Sequence, residues 1–237
     1  MTPAAADLSG SRVLVTGASR GYGAAVAREL ARRGAHVVLT ATRGRRLAAV
    51  ASACRDSGAM CDEVEMDLGS PDSVDAAAAQ VMAAVPRLEG VVMNAGVLGP
   101  LGPLADADVD ATWEAITVDL TGQVRLLQRL APAIADSAAV VLVTSGAAGR
   151  PGYGAYAIAK AGLESVGRML REEWSGRGIR VVAVNPGPVR TQMRAEAHPE
   201  EDPATVPPPA DRVAPVLAVL AGEDPGPRVQ ASEWGIA

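Results

Sequence analysis

Tyr156 and Lys160, in the stretch "AYAIAKAGLE" (155–164), have the side chains and the spacing of an acid–base pair. Side chains four residues apart on a helix lie on one face and can touch. A free phenol has a pKa of about 10 and is a poor acid or base near neutrality, but a neighbouring ammonium favours its phenolate form. Lys160 is the only lysine among the 22 Lys and Arg residues, and a planar guanidinium does not imitate a compact ammonium. The pair is therefore a candidate for proton transfer. The alternative is an ordinary exposed pair on a helix.

A glycine-rich turn near the beginning of the chain could hold a phosphate group. The segment "TGASRGYG" (16–23) places Gly17, Gly21 and Gly23 between a predicted strand and a predicted helix. Glycines let the backbone approach a pyrophosphate closely, and the N-terminus of a helix offers free N–H groups and the positive end of its dipole. Such a segment can also be an ordinary tight turn. Its place after the first strand favours a dinucleotide bound across the carboxyl ends of the strands.

Strands and helices alternate along the chain in its hydrophobic pattern. Short apolar runs indicate strands buried on both faces, in residues 11–19, 36–41, 61–68, 88–96, 138–146 and 178–187. Helical spacing predicts helices over residues 23–35, 45–58, 70–85, 108–134, 155–174 and 213–222, and a short edge strand could lie in residues 226–234. Gly34 is expected to close the first helix, and Ser70 and Pro71 to begin the third. The alternation predicts an α/β fold, a Rossmann-type doubly wound parallel sheet in three α/β/α layers, as a single domain over residues 1–237.

The composition fits one globular domain and argues against several classes of function. The chain has 237 residues, of which 49% are hydrophobic and 21% charged, with a net charge of −5, so no nucleic-acid partner is expected. Cys54 and Cys61 provide no disulfide framework, which favours a reducing compartment, and the absence of a His/Cys cluster predicts no metal site. The apolar runs are shorter than the roughly 18 residues of a spanning helix, and the first ten residues lack the pattern of a signal peptide. We therefore expect a soluble cytoplasmic protein without a membrane partner.

Six short motifs together resemble those of the short-chain dehydrogenase/reductase family. They occur in the family's order and spacing, from about residue 10 to residue 191, and read "TGASRGYG" (16–23), "MDL" (66–68), "NAG" (94–96), "VTS" (143–145), "YAIAK" (156–160) and "NPGPVRT" (185–191). The resemblance implies an oxidoreductase that transfers hydride between a nicotinamide and a carbonyl or secondary alcohol. It also implies that Tyr156 is the general acid/base, that Lys160 assists it and holds the nicotinamide ribose, and that Ser145 hydrogen-bonds the substrate carbonyl and the tyrosine hydroxyl.

The same resemblance assigns the cofactor contacts to four segments of the chain. They are the turn residues Gly17, Ser19, Arg20, Gly21, Tyr22 and Gly23, the adenine contacts Asp67 and Leu68, the adenosine-ribose contacts Asn94, Ala95 and Gly96, and the nicotinamide-end contacts Pro186, Gly187, Val189 and Thr191. Tyr156 and Lys160 complete this set at the nicotinamide ribose.

The residues after the second strand bear on which dinucleotide is bound. NAD-specific proteins of such folds carry an acidic residue at the end of this strand, where this chain reads "VVLTATRGRR" (37–46) without one. Arg43 and Arg20 instead suit a 2′-phosphate, because a guanidinium matches phosphate geometry and keeps its charge. We therefore predict NADP(H) over NAD(H). The alternative is that both arginines are solvated surface residues.

Two positions leave the catalytic set open. Aligning the strand makes Ser145 the catalytic serine, whereas aligning back from Gly149, as in the family's "SSxxG" pattern, puts Gly146 there and leaves no hydroxyl. We favour Ser145, because the register of a buried strand is constrained while the following loop can change length.

Asp119, in "VDLTG", stands where the family has Asn in "VNxxG". A carboxylate near Lys160 would offset part of its charge and oppose the phenolate, so we predict an active enzyme with an alkaline-shifted oxidative pH profile.

The expected substrate pocket is closed by residues 96–104 and 147–154 and by a probable lid over residues 192–211, part of which is the proline-rich, acidic stretch 198–212. This stretch is too polar for a core and is expected to be a mobile loop or lid. Few pocket residues outside it are charged, so a neutral ketone or secondary alcohol is the expected substrate, with Tyr153 in the wall. Arg171 could face an acyl-carrier protein, but an ordinary exposed helix face is the favoured interpretation.

The resemblance also implies a homodimer or homotetramer, since the fourth and fifth helices are the family's usual dimer surfaces. Five apolar positions fit either such an interface or the core: Ile116, Leu120, Leu126, Leu127 and Leu130.

Two other functions compete with the reductase. A cofactor-binding regulatory or scaffolding protein with little turnover is supported by Asp119 and the uncertain serine. An epimerase or dehydratase of the extended branch is disfavoured by the "TGxxxGxG" turn and the short remaining chain.

Overall fold

Seven parallel strands form one sheet in the computed structural model, which describes residues 7–42 and 44–234. The strands are β1 Arg12–Thr16, β2 His36–Ala41, β3 Cys61–Glu65, β4 Leu88–Met93, β5 Ile134–Val143, β6 Arg180–Asn185 and β7 Arg228–Gln230. Their order across the sheet is β3-β2-β1-β4-β5-β6-β7. The order reverses between β1 and β4, and such a reversal opens a crevice at the carboxyl ends of the two strands.

Helices cover both faces of this sheet. They are α1 Gly21–Arg32, α2 Arg45–Asp56, α3 Pro71–Ala84, α4 Val109–Ile116, α5 Gly122–Leu130, α6 Gly154–Glu173, α7 Gln192–Ala197 and α8 Ala214–Leu220. One core lies between the sheet and α1, α2 and α8, and the other lies beneath α3, α5 and α6. Within β1, Val13 and Val15 belong to the first core and Leu14 to the second, and all three are at most 1% exposed. The predicted Rossmann-type α/β/α fold is therefore confirmed.

Local sequence signals begin and end two of these helices as predicted. The Ser70 hydroxyl accepts a hydrogen bond from the Ser73 N–H at 3.4 Å, and Pro71 is the first residue of α3. Gly34 follows α1 with a φ of +83°, a left-handed conformation that favours glycine. Both signals are short-range, which is why the sequence alone reveals them.

The helix predicted over residues 108–134 differs from the structure in two respects. A π-helical turn, Thr117–Thr121, joins α4 to α5, so the helix is irregular in its middle. Helix α5 then ends at Leu130, because Pro132 has no N–H to continue the hydrogen-bonding pattern. The π turn carries Asp119 and lies next to the carboxyl ends of the strands, where such turns are often part of a site.

The strand predicted over residues 138–146 was placed too late in the chain. Strand β5 runs from Ile134 to Val143, so Ser145 lies in the loop that follows the strand. The five apolar positions that fit either the core or an interface divide between two environments. Three of them, Leu126, Leu127 and Leu130, are at most 3% exposed and belong to the core, whereas Ile116 and Leu120 are half-buried.

The proline-rich stretch 198–212 is ordered and hydrogen-bonded to the rest of the fold. It contains two short 3₁₀ helices, Pro203–Thr205 and Pro209–Arg212, with Val206 buried between them. The Arg190 N–H donates to the Pro207 carbonyl at 2.8 Å, and the Tyr22 hydroxyl donates to the Arg212 carbonyl at 2.9 Å. The predicted lid over residues 192–211 thus consists of α7 and these short helices, and its motion stays a prediction.

Candidate active site

A cavity of about 980 Å³ lies at the carboxyl ends of β1, β4, β5 and β6, and we refer to it as the main cavity. Most of the site residues predicted from the sequence line it. They are Gly17, Ser19, Arg20, Gly21, Tyr22, Asp67, Leu68, Asn94, Ala95, Gly96, Ser145, Tyr156, Lys160, Pro186, Gly187, Val189 and Thr191. Gly23 and Asp119 lie behind the wall of the cavity, and Arg43 lies outside the described residues.

The glycine turn forms a close-fitting wall for a bound group. Gly17 has a φ of +64°, and a Cβ there would lie 2.7 Å from the Ala95 Cα. A Cβ on Gly23 would lie 2.3 Å from the Asn94 Nδ2, so this glycine serves packing between the two loops. Helix α1 begins after Arg20 without a side-chain cap, which leaves N–H groups of its first turn available. Free N–H groups at the positive end of a helix dipole, beside backbone that a Cβ would obstruct, fit a phosphate-bearing ligand.

Asn94 ties the loop after β4 to the turn after β1. Its side-chain Nδ2 donates to the carbonyl oxygens of Thr16 at 2.9 Å and Gly17 at 3.3 Å, and its backbone N–H donates to the Thr16 hydroxyl at 2.9 Å. The amide is therefore engaged within the chain. Ala95 and Gly96, which follow it, present their backbone to the main cavity.

Helix α6 places Tyr156 and Lys160 on one face, at the wall of the main cavity. Lys160 is only 3% exposed, and its Nζ donates to the Val143 carbonyl at 3.1 Å. The same Nζ lies 5.4 Å from the centroid of the Tyr156 ring. Among the described residues, no group hydrogen-bonds the Tyr156 hydroxyl. A buried ammonium beside an accessible phenol is the arrangement expected of an acid–base pair.

Ser145 lies in the loop after β5 and lines the same part of the main cavity. Its hydroxyl oxygen accepts a hydrogen bond from the Ala147 N–H at 3.1 Å. Gly146, the alternative position, also lines the cavity but brings no hydroxyl group. Of the two candidate positions, only Ser145, which the strand alignment predicts, thus carries a hydroxyl.

Asp119 is fully buried in the π turn, behind Gly96. Its Oδ1 accepts a hydrogen bond from the Val97 N–H at 2.7 Å, whereas its Oδ2 has no partner within the described residues. Burial raises the pKa of the Asp119 carboxyl to about 6, while the charge of Lys160 and the hydrogen bond from Val97 act in the opposite direction. A carboxyl group that titrates near neutrality thus lies within electrostatic reach of Lys160.

The loop between β6 and α7 carries the residues predicted at the nicotinamide end. Gly187 has a φ of +72°, and its N–H donates to the Asn185 Oδ1 at 2.9 Å. Thr191 caps α7, and its hydroxyl oxygen accepts from the Arg194 N–H at 3.2 Å. Pro186 and Val189 complete the lining of this loop.

Three other predicted residues are engaged within the chain. The Tyr22 hydroxyl bonds the Arg212 carbonyl, and burial raises the pKa of this phenol. The Asp67 Oδ1 accepts from the Gly69 N–H at 2.8 Å. Arg171, the candidate carrier-protein contact, donates to both carboxylate oxygens of Asp224 at 2.7 and 2.9 Å. Its guanidinium is therefore already paired on the helix surface.

A second pocket between β2 and α2 contains the predicted Ser19 and Arg20 together with residues that the sequence reasoning missed, above all Arg45 and Arg46. It borders the main cavity and is lined by Ser19, Arg20, Thr42, Gly44, Arg45, Arg46 and Leu47. Arg46 lines both cavities. The segment "RGRR" (43–46) contains Arg45 and Arg46 in addition to Arg43, the arginine that the sequence analysis assigns to the 2′-phosphate. Because α2 begins at Arg45, both Arg45 and Arg46 line the pocket at the predicted adenosine end.

The structure also brings together Arg150, Tyr153 and His198, which lie in segments that the sequence predicts around the pocket but whose mutual contacts it does not predict. The Tyr153 hydroxyl lies 3.4 Å from the His198 Nε2, and the Arg150 Cζ lies 5.9 Å from the centroid of the Tyr153 ring. All three residues line the main cavity. No short-range pattern links residues 153 and 198, so only the fold reveals that they meet.

A glycine cradle at the switch point of a parallel sheet, with a Tyr–Lys pair in the same cleft, defines a dinucleotide-dependent oxidoreductase of the Rossmann class. The family model of the short chain dehydrogenases matches residues 11–202. The chain belongs to this short-chain dehydrogenase/reductase family, whose members bind a nicotinamide cofactor, and it is an oxidoreductase acting on CH–OH groups.

Individual relatives agree with this assignment. The oxidoreductase YciK of Escherichia coli K12 is 36% identical over 226 residues, covering 92% of this chain and 89% of YciK. Cis-4-hydroxycyclohexanecarboxylate dehydrogenase of Sinomonas cyclohexanicum is 40% identical over 187 residues, covering 77% of this chain and 74% of that protein. The crystal structure of a Shigella flexneri short chain dehydrogenase complexed with NADP superimposes with a TM-score of 0.91 at 32% identity, covering 97% of this chain and all of the other.

Residues 7–42 and 44–234 lack two features, a membrane-spanning helix and a metal-ligating cluster. Within these ranges, no helix has the length and apolar character needed to cross a bilayer. The same ranges contain no group of three or more His, Cys, Asp or Glu residues placed to hold a metal ion.

Proposed function

We propose that the protein is an NADP(H)-dependent reductase of ketones, or dehydrogenase of secondary alcohols, with Tyr156 as its general acid/base. The observation that carries the proposal is the accessible Tyr156 hydroxyl above the buried Lys160, in the cavity that also contains the glycine turn. The relative from Sinomonas cyclohexanicum is a dehydrogenase of a cyclic secondary alcohol, which supports this class of substrate.

The residues of the main cavity fit a dinucleotide with a 2′-phosphate. The free N–H groups of α1 and the turn at Gly17 would hold the pyrophosphate, and the loop after β6 would hold the nicotinamide end. Arg20, Arg45 and Arg46 would bind the 2′-phosphate in the pocket beside β2, where no described residue of the lining is acidic. When bound, the nicotinamide supplies the hydride or accepts it. An NADP complex among the structural relatives supports the same choice of cofactor.

Tyr156 and its neighbours would handle the proton. In the reductive direction the Tyr156 hydroxyl donates a proton to the developing alkoxide, and in the oxidative direction the phenolate removes a proton from the alcohol. Lys160, buried beneath the ring, favours the phenolate through its charge. Ser145 would donate a hydrogen bond to the substrate oxygen and so orient it towards the tyrosine.

Asp119 gives specific support to a second candidate, a cofactor-binding regulatory protein with little turnover. An ionised Asp119 would offset part of the Lys160 charge and thereby oppose the phenolate. We favour the enzyme, because Tyr156, Lys160 and Ser145 all reach the main cavity. Titration with NADPH and with NADH, followed by a panel of ketones and secondary alcohols, separates the two functions. Turnover supports the enzyme, tight NADPH binding without turnover supports the regulatory protein, and binding of neither nucleotide overturns both.

We further propose a homodimer or homotetramer that uses α4 and α6. Large apolar side chains on these helices are exposed to solvent, with exposed fractions of 66% for Val109, 64% for Trp113 and 57% for Met169. Light scattering of the wild type and of Trp113→Glu tests this assembly. A wild-type monomer would contradict it.

A further inference from the structure

A cation without an ionic partner lines the substrate side of the main cavity. Arg150 belongs to the loop between Ser145 and Tyr156, and its side chain is exposed at the cavity wall. Among the described residues, no carboxylate lies within ion-pair distance of its guanidinium. A charge at this place is available to whatever enters the cavity.

The backbone holds Arg150 in place. Its own N–H donates to the Ala147 carbonyl at 2.9 Å, and the neighbouring Gly149 N–H donates to the Ala157 carbonyl of α6 at 3.1 Å. On the other side of the loop, the Gly102 N–H donates to the Gly152 carbonyl at 2.9 Å. The loop that carries Arg150 is thus fixed to the helix that carries Tyr156.

The groups around Arg150 leave its charge uncompensated. Arg194, from α7, is neutralised by Glu201 through two hydrogen bonds of 2.6 and 2.7 Å. Tyr153 and His198 contribute a hydroxyl and an imidazole rather than a carboxylate. The carboxylates that line the whole cavity are Asp67, at the predicted adenine end, and Glu114, an exposed residue of α4. Neither carboxylate forms an ion pair with Arg150 among the described residues, so the charge of Arg150 is available to a negatively charged group in the cavity.

We propose that Arg150 binds a carboxylate of the substrate, and that the preferred substrates are keto acids and hydroxy acids. This inference rests on the proposed function and specifies its substrate class. The reacting carbonyl would lie at Tyr156, an apolar body against Val97, Leu98 and Met193, and the carboxylate at Arg150. A guanidinium binds a carboxylate through two parallel hydrogen bonds, which gives orientation as well as affinity. This proposal differs from the neutral substrate expected from the sequence, because it takes account of the unpaired guanidinium of Arg150 at the cavity wall.

A series of matched substrates tests this assignment by kinetics. The probes are 4-oxopentanoate, 5-oxohexanoate and 6-oxoheptanoate, each beside its uncharged amide. For the best acid, we expect Arg150→Gln to lower kcat/KM about 10- to 100-fold and to leave kcat/KM for the amide unchanged, since the variant loses a contact to the charged group alone. The control Arg168→Gln removes an exposed arginine of α6 that does not line the main cavity, and it should change neither value. Equal effects of Arg150→Gln on acid and amide, or no effect, would overturn the proposal.

A binding measurement separates this inference from the proposed function. The NADPH-bound protein is titrated in a calorimeter with hexanoate and with hexanamide, for the wild type and for Arg150→Gln. Tighter binding of hexanoate that is lost in the variant supports the anion site even if no ketone is turned over, in which case the proposed function alone has failed. Equal affinities for the two compounds, or no binding of hexanoate, contradict the anion site whether or not ketones are reduced.

Discussion

At the scale of single residues, Asp119 combines complete burial with a carboxylate oxygen that has no partner within residues 7–42 and 44–234. One carboxylate oxygen accepts a hydrogen bond from the Val97 N–H, and the other is buried without a partner among the described residues. The nearby Lys160 favours the ionised form, yet burial is the larger effect. The ionised form of Asp119 therefore lowers the stability of the folded chain, by an amount that depends on pH. The same charge also acts on Lys160 of the catalytic pair.

Replacement of Asp119 by Asn should stabilise the protein more at high pH than at low pH. The pKa of this carboxyl is about 6 in the folded chain and 3.8 in its ordinary state. A raised pKa means that its favourable contribution is present below pH 4 and is lost as the pH rises through 6. Between pH 4 and pH 8, the difference in unfolding free energy between Asp119→Asn and wild type should grow by roughly 1–3 kcal/mol. Urea unfolding at both pH values measures it, and a difference independent of pH would contradict this account.

The same substitution should change the pH dependence of alcohol oxidation. Above pH 6 an ionised Asp119 opposes the charge of Lys160, so the phenolate needed as a base forms at higher pH. Asp119→Asn should therefore move the alkaline rise of kcat/KM to lower pH. Glu172→Gln, which removes an exposed carboxylate of α6 that does not line the main cavity, is the control and should leave the profile in place. Superimposable profiles for Asp119→Asn and wild type would refute the role given to Asp119.

At the scale of elements, the turn between β1 and α1 depends on a close approach of two loops. Gly17 combines a φ of +64° with a missing side chain that would otherwise meet the Ala95 Cα at 2.7 Å. Gly178 has nearly the same φ, +65°, but a Cβ there would meet only the Ser137 hydroxyl at an ordinary 3.4 Å. A comparison of Gly17 with Gly178 therefore separates the effect of backbone strain from the effect of a steric clash at the Cβ position.

Gly17→Ala should therefore be much more damaging than Gly178→Ala. Both variants place alanine in a left-handed conformation, which costs about 1–2 kcal/mol. Only Gly17→Ala also displaces the loop after β4, so it should lose a further 1–3 kcal/mol of unfolding free energy and at least tenfold in NADPH affinity. Chemical unfolding and nucleotide titration of both variants measure these effects. Equal losses in the two proteins would show that the close approach is unimportant.

The sequence predicts the elements better than it predicts their irregularities. Alternating apolar runs and caps such as Ser70 locate the strands and helices, because these signals act over a few residues. The π turn at Asp119 and the early start of β5 have no such signal, since they follow from packing between distant segments. The contact of Tyr153 with His198 is also long-range, so the local sequence carries no signal for it.

At the scale of the whole molecule, the main cavity draws its wall from segments spread over most of the chain, from Gly17 to Ser232. A ligand that fills it connects loops after β1, β4, β5 and β6 and binds only when all of them are folded. Such a ligand stabilises the folded state by a free energy that grows with the logarithm of its concentration divided by its dissociation constant.

NADPH should therefore raise the melting temperature more than NADH does. At a concentration 100 times its Kd, a ligand adds about 2.7 kcal/mol, which for a chain of this size corresponds to a rise of roughly 5–11 °C. NADH at the same concentration should give a clearly smaller rise, because it offers no 2′-phosphate to Arg20, Arg45 and Arg46. Thermal scans with each nucleotide test this preference. Equal shifts would contradict the assignment of these arginines.

The central claim is that Tyr156 transfers the proton in a reaction between the nicotinamide and a carbonyl substrate. The most direct measurement compares Tyr156→Phe with the wild type in two assays, NADPH titration by fluorescence and ketone reduction followed at the nicotinamide absorbance. The account predicts that the variant binds NADPH with nearly wild-type affinity and loses turnover by about 100- to 10,000-fold. Phenylalanine keeps the aromatic ring but lacks the hydroxyl group that transfers the proton. A Tyr156→Phe protein that reduces the ketone at close to the wild-type rate would contradict it.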